Sequence, residues 1–183
     1  MLVRQNIQST GSNGLRITRI FLLIFLVMSL LAGCGVYKFN QVSIPADIKT
    51  VRVQYIENKA RYQNNQLSPQ LTDRLRQKIV SQTRLTQVTG DNADYDISGF
   101  ISQYDVTTSA ISDQQVSNNR LTVSVDLTLY DRKTPGVEPR KISASRSFDF
   151  SATLTLQQAE QRLNDEIIRN LTDEIFNKIF SDW

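Results

Sequence analysis

The sequence predicts an α+β fold: a two-layer sandwich in which a four-stranded, mostly antiparallel sheet carries two helices on one face, in the order β-α-β-β-β-α. Three observations lead there. Apolar and polar residues alternate at period two in four segments, which marks strands with one buried side. Two other segments repeat their apolar residues every four positions, which marks amphipathic helices. The last three strands follow one another through turns and so can pair antiparallel, whereas the first reaches the sheet through a helix.

The first strand is Thr50–Ile56, where Val51, Val53 and Tyr55 alternate with polar neighbours. Glu57–Gln66 is polar and reads as a loop. Ser68-Pro69 follows; a serine N-cap with proline at the first helical position is a favourable helix start. Leu67, Leu71, Leu75 and Ile79 then form one apolar helix face. Gly90-Asp91-Asn92 marks a turn into a long strand, Tyr95–Thr107. Its pattern places Ile97, Gly99 and Ile101 on one face and Phe100, Tyr104 and Val106 mostly on the other. Thr108–Asn119 is polar and nearly uncharged, the look of a hairpin end longer than the usual two to five residues. Leu121, Val123, Val125, Leu127 and Leu129 alternate strictly with polar residues and Tyr130, and this is the clearest strand. Asp131–Pro139 is a turn, and Lys141–Ser151 a fourth strand whose apolar face is interrupted by Arg146. Snorkelling or an acidic partner is the expected fate of that arginine. Thr155 with Gln158 fits a capping box, and a helix follows to near Phe180. Its stripe is Ala159, Leu163, Ile167, Leu171, Ile175 and Ile179, widened by Ile168, Phe176 and Phe180.

Composition bounds the function. The 183 residues suit one domain, and 40 % hydrophobic content suits a packed core. The formal charge of +3 comes entirely from Arg4, Arg16 and Arg19; the chain from residue 34 onward is neutral. A nucleic-acid partner is therefore not expected, since such proteins concentrate basic charge in the folded part. There is no histidine and one cysteine, so neither an internal disulfide nor a Cys/His zinc site can form. No G-x-S-x-G nucleophile elbow is present. The expectation is a non-enzymatic protein without metal or diffusible cofactor; a hydrolase built on Ser and Lys or on paired acids is the rival of a different class.

The N-terminus carries the strongest motif. A polar stretch with arginines and no acids runs to Arg19, an apolar run follows from Ile20 to Leu31, and small residues precede Cys34. That is the layout of a secretory signal peptide, and the run falls short of the roughly 20 residues a spanning helix needs. Leu31-Ala32-Gly33-Cys34 resembles the bacterial lipobox, which implies cleavage before Cys34 and a covalent lipid on its sulfur. The expected organisation is a signal peptide over 1–33, a lipidated tether over 34–49 containing Ile44-Pro45, and one α+β domain over 50–183. Gly35 stands where enterobacterial inner-membrane retention signals would place Asp, and no acidic cluster follows over Val36–Phe39. By that resemblance the protein belongs on the periplasmic face of the outer membrane of a Gram-negative bacterium.

Several further stretches carry a second resemblance: Cys34–Phe39, Ile44-Pro45 with Lys49-Thr50-Val51, Glu57-Asn58, Gln82–Leu85, Ala93–Gly99, and Ile175–Lys178 through Trp183. Together they span nearly the whole mature chain, and the chain resembles the LptE-like lipopolysaccharide-assembly lipoproteins in the form found in Bacteroidetes. The resemblance implies the same sandwich. It also implies a partner, the large LptD-type outer-membrane β-barrel, whose lumen such lipoproteins occupy while lipopolysaccharide passes to the outer leaflet. The runner-up is an auxiliary lipoprotein of another envelope complex, a lipid-transport system or a cell-wall synthase.

Lipopolysaccharide carries phosphates, so basic residues near a turn or sheet edge are candidate contacts. Arg132 and Lys133, with Arg140 and Lys141 just beyond, are the two clusters that qualify. Charges that merely solvate a turn are the competing reading. The Ser, Thr, Asn and Gln residues of the hairpin and outward strand faces suit a polar barrel lumen, and suit an ordinary solvated sheet face equally. Tyr104 and Tyr130 are read as core or sheet-face packing with a possible partner contact, and Trp183 as a pin for the last helix.

Overall fold

A computed structural model describes residues 44–112 and 115–181. The signal peptide, the lipobox with Cys34, and Trp183 lie outside the described residues. The elements are β1 (Thr50–Val53), β2 (Glu57–Asn58), α1 (Leu67–Gln82), β3 (Thr86–Gln87), β4 (Tyr95–Ser112), β5 (Gln115–Asp131), β6 (Arg140–Ser151) and α2 (Leu156–Phe180). The two-helix α+β class holds. The sheet differs from the expected one: it is mixed and has six strands, in the order β3-β1-β4-β5-β6, with β2 also paired to β4. β1 runs parallel to β3 and to β4, β2 is parallel to β4, and β4-β5-β6 is an antiparallel meander.

The helices cover one face. Leu67, Leu71, Leu75 and Ile79 of α1 are buried over the β1 side, and Ala159, Ile167, Leu171, Ile175 and Ile179 of α2 are buried with them. The extra apolar residues of α2 have a physical reason. Phe176 lies beneath Lys78 of α1, whose ammonium sits 5.1 Å from the ring centroid, and Lys78 also pairs with Asp173 at 3.0 Å. The wide stripe thus faces both the sheet and the neighbouring helix. Beneath the helices lie Val51, Val53, Ile97, Ile101, Leu121, Val123, Val125, Leu127, Ile142, Ala144, Phe148 and Phe150. Gly99 opposes Leu127 in the ladder. A Cβ there would stand 2.4 Å from the Asp126 carbonyl oxygen and 2.5 Å from Leu127 Cδ2, so only glycine lets Leu127 lie across β4.

Three local readings are corrected. Ser68 is not the N-cap of α1: the cap position is Gln66, without a side-chain cap bond, and Ser68 is a buried helical residue. Its backbone carbonyl accepts from Thr72 Oγ1 at 2.7 Å, and Thr72 Oγ1 in turn accepts from Ile56 N at 3.1 Å. Tyr104 does not share the Phe100 face. A register shift between Ile101 and Gln103 reverses the alternation, so Tyr104 opposes Val123 and is buried. The Thr108–Asn119 stretch is not a long loop, because the β4–β5 ladder continues to Ser112↔Gln115. The predicted capping box at Thr155 is present in both directions, with Gln158 N donating to Thr155 Oγ1 at 3.3 Å and Thr155 N to Gln158 Oε1 at 3.0 Å. Arg146 has its acidic partner, Glu174 of α2.

Candidate functional site: the open face of the sheet

Among the described residues no helix covers the second face of the sheet. Because side chains alternate along a strand, burying Leu121–Leu129 commits Thr122, Ser124, Asp126 and Thr128 of β5 to that face. Across the ladder stand Ser143, Ser145 and Ser147 of β6. The hydroxyls bond laterally: Thr122 Oγ1 and Ser147 Oγ are 2.9 Å apart, and Ser124 Oγ and Ser145 Oγ 2.8 Å. Ser124 also donates to Gln103 Oε1 at 3.1 Å. At the far end Arg120 holds Asp149 through two bonds of 2.8 and 2.9 Å, and this guanidinium keeps the Asp149 carboxyl below its ordinary pKa. The result is a hydroxyl-lined surface.

The lower half of this face forms a shallow groove of about 660 Å³, whose lining includes Gln54, Lys59, Phe100, Asp126 and Lys141. The Lys59 ammonium lies 5.0 Å from the centre of the Phe100 ring and 3.4 Å from Glu57. Beside it, on the same face, sits a carboxylate that is almost fully buried. Asp96 is 1 % exposed. Arg52 Nε and Nη2 donate to its two oxygens at 3.0 and 2.6 Å, Gln54 Nε2 reaches both at 3.1 and 3.2 Å, and Arg132 Nη2 donates to Oδ2. Arg52 also pairs with Asp91. Burial pushes the Asp96 pKa up, but the bonds from Arg52, Gln54 and Arg132 outweigh it and hold it at about 2.

The four cations singled out in the sequence do not form one cluster. Arg132 is engaged by Asp96 and by the Asp91 carbonyl. Lys133 lies 3.7 Å from Asp94. Arg140 donates to the Ile179 carbonyl, and so satisfies the C-terminal end of α2. Lys141 lines the groove and makes no ion pair among the described residues. Tyr130 is 40 % exposed.

Sequence reasoning missed the Asp96 centre, since an acid at an outward strand position looks like ordinary solvation. The available signal was Arg52-x-Gln54, which shares the outward parity of β1, but it becomes meaningful only once β1 is paired in parallel with Asp96. The same register explains the scattered motifs. Asp94 accepts from Lys49 N and Thr50 N at 2.8 and 3.0 Å and donates its own N–H to Thr50 Oγ1 at 2.9 Å. Those two backbone bonds lower the Asp94 pKa. Arg84 donates to the Ile44 carbonyl at 2.6 Å. Ile44-Pro45, Lys49-Thr50, Arg84 and Asp94 are therefore joints of one edge, and their role is structural.

The sequence profile of the lipopolysaccharide-assembly family, LptE, matches residues 48–179. No curated protein matches the sequence significantly. Among solved structures, the chain is similar to the rare lipoprotein B from Shewanella oneidensis at 13 % identity and a TM-score of 0.47, over 70 % of this chain and 92 % of that one. It is similar to an uncharacterized lipoprotein B from Nitrosomonas europaea at 17 % identity and 0.47, over 79 % and 87 %. A PelC dodecamer from Paraburkholderia phytofirmans is similar at 14 % identity and 0.43, over 72 % and 86 %.

Proposed function

This chain belongs to the lipopolysaccharide-assembly (LptE) family, and we propose that it is an outer-membrane lipoprotein that partners an LptD-type β-barrel in lipopolysaccharide assembly, without catalysis. In this reading residues 1–33 are a signal peptide removed before Cys34, and lipid on Cys34 holds the domain at the periplasmic leaflet. One acyl chain binds membranes only marginally, so firm anchoring takes several chains. The observation that carries the reading is the open face. An antiparallel sheet with one uncovered side meets water or a partner, and barrel lumens are polar. Thr122, Ser124, Ser145 and Ser147 offer such a wall hydroxyls that can both donate and accept. Of the four candidate lipopolysaccharide contacts, Arg132, Lys133 and Arg140 already have protein partners. Lys141, in the groove beside Phe100, is the cation best placed to meet a phosphate.

The test is a photo-crosslinker placed in turn at Ser145 on the open face and at Arg169 on the outer surface of α2, in the full-length protein in its own envelope. Mass spectrometry should find a large outer-membrane barrel joined at Ser145 and not at Arg169. An inner-membrane transporter or a wall synthase joined at Ser145 would overturn the barrel partnership in favour of another envelope complex. Independently, Cys34→Ala should abolish lipid labelling and leave the uncleaved mass; unchanged membrane attachment would refute the anchor.

A further inference from the structure

On the opposite side of the molecule from the hydroxyl face, the segment between β2 and α1 leans against the first turns of α2 and encloses a cleft of about 390 Å³. That volume lies within the range of small-molecule sites. Its composition is unusual: seven of the nine lining residues are Asn or Gln, none is Lys or Arg, and the other two are Tyr62 and Glu160.

The cleft has a fixed floor. Tyr104, buried in β4, donates its hydroxyl to Glu160 Oε1 at 2.8 Å, and Tyr62 donates to Oε2 at 3.4 Å. The two rings stack, with centroids 5.4 Å apart and planes 26° from parallel. Burial raises the pKa of both hydroxyls, so they remain donors to the carboxylate. Tyr62 is thus held from behind while 43 % of it stays exposed. Asn64 gives its side chain to the framework, accepting from Gln66 N at 2.9 Å and donating to Tyr104 Oη at 3.5 Å. Asn65, Gln157 and Gln161, by contrast, have no side-chain hydrogen-bond partner among the described residues.

We infer that this cleft binds an uncharged saccharide. A sugar ring presents neighbouring hydroxyls, each both donor and acceptor, around an apolar C–H face. A side-chain amide carries an acceptor oxygen and two donor hydrogens on one planar group, which matches a pair of such hydroxyls. An anchored tyrosine ring supplies the flat apolar surface. An anionic ligand is disfavoured, because the only charge lining the cleft is the Glu160 carboxylate. An apolar ligand is disfavoured, because it would strand the amides unpaired. The inference stands on Tyr62, Glu160 and the amides, and does not depend on the barrel partnership.

The experiment is calorimetric titration of the full-length lipoprotein in mild detergent with two uncharged probes: neutral hexose oligosaccharides of the kind an exported surface glycan carries, and N-acetylglucosamine oligomers, which present the wall's glycan backbone without its lactyl carboxylates. Binding of the first assigns the site to the exported glycan, and binding of the second to the wall. In either case Tyr62→Ala, and separately the double change Gln157→Ala with Gln161→Ala, should weaken it about tenfold or more, the first by losing the stacking surface and the second by losing one or two hydrogen bonds. Gln157 and Gln161 are exposed helix positions, so the double variant tests the site without disturbing the core. Glu138→Ala, in the turn after β5, should bind as the unaltered protein does. Failure of both glycans to bind, or equal binding by the double variant, overturns the inference.

Discussion

Asp96→Asn is the substitution whose consequences follow most directly from the geometry. The amide keeps the shape but removes the charge on which Arg52, Gln54 and Arg132 converge. Arg52 is 17 % exposed at its side chain and Arg132 45 %. The loss should therefore fall between the small value of a surface pair and the roughly 3–5 kcal/mol of breaking a buried one, at about 2 kcal/mol. The pH dependence gives an independent check. The folded carboxyl, at about 2 against an ordinary 3.8, is a stronger acid than the unfolded one. As pH falls, the unfolded chain therefore takes up the proton first. Its stabilisation is fully present above about 3.8 and is lost progressively down through about 2. The shift corresponds to at most about 2 kcal/mol, and to about 1 kcal/mol after discounting for solvent on the open face. Urea unfolding of the detergent-solubilised protein, followed by circular dichroism at pH 7 and near pH 2, measures both quantities. The variant should be less stable at pH 7, and the gap should narrow by about 1 kcal/mol at the acid end. Asp94 and Asp149 titrate in both proteins and cancel from the difference. A variant as stable as the parent at pH 7, or a gap that ignores pH, would refute the account of Asp96 as a charge-paired centre.

Gly99→Ala should lower stability by about 1–3 kcal/mol through overpacking. Leu127→Ala should fail to rescue it, because the closest atom to the new Cβ is a backbone oxygen of Asp126; full rescue in thermal melts would contradict the geometry. Thr155→Ala should cost about 1 kcal/mol by removing the cap of α2, visible as a lower urea midpoint, and an unchanged midpoint would deny the cap any role. Lys141→Glu should weaken capture of lipopolysaccharide on a sensor surface with the melting temperature unchanged, whereas Arg140→Ala should lower the melting temperature by uncapping α2. The reverse assignment would remove Lys141 from the site.

The elements readable in the sequence are those long enough to show a period. Four-residue spacing over Leu67–Ile79 and strict alternation over Leu121–Leu129 each repeat several times, and both elements are where that pattern places them. β2 and β3 have two residues each, too few for any period, so periodicity alone shows only four strands. Their pairing is set by β1 and β4, which lie far away in sequence. The Tyr104 misassignment has a different origin. Alternation predicts a face only while the strand is regular, and one extra residue near Ser102 exchanges the faces beyond it. In Thr108–Asn119 apolar and polar residues no longer alternate strictly, although the backbone ladder persists. The Asp96 centre and the Tyr62–Glu160 cleft were unreadable for a shared reason. Each joins residues more than 30 positions apart, and neither residue type stands out until the register is known.

The open face also constrains what can cover it. Burying a hydroxyl or an amide without a hydrogen-bonding partner costs on the order of 1–3 kcal/mol per group in proteins, so an apolar surface laid over Thr122, Ser124, Ser145 and Ser147 would lose more than it gained. The lateral bonds from Thr122 to Ser147 and from Ser124 to Ser145 satisfy only part of each hydroxyl's capacity. A hydroxyl has one donor and two acceptor positions, and the remainder must go to water or to a polar wall. Charge is sparse along this hydroxyl row, since Arg120 and Asp149 neutralise each other, whereas Lys59, Asp126 and Lys141 gather in the groove at the lower half of the face. The hydroxyl row therefore selects by chemistry, favouring a surface that is polar, nearly uncharged and wet. The core on the other side is closed by α1 and α2, so the residues of the open face are not committed to it and can be specified by whatever covers them.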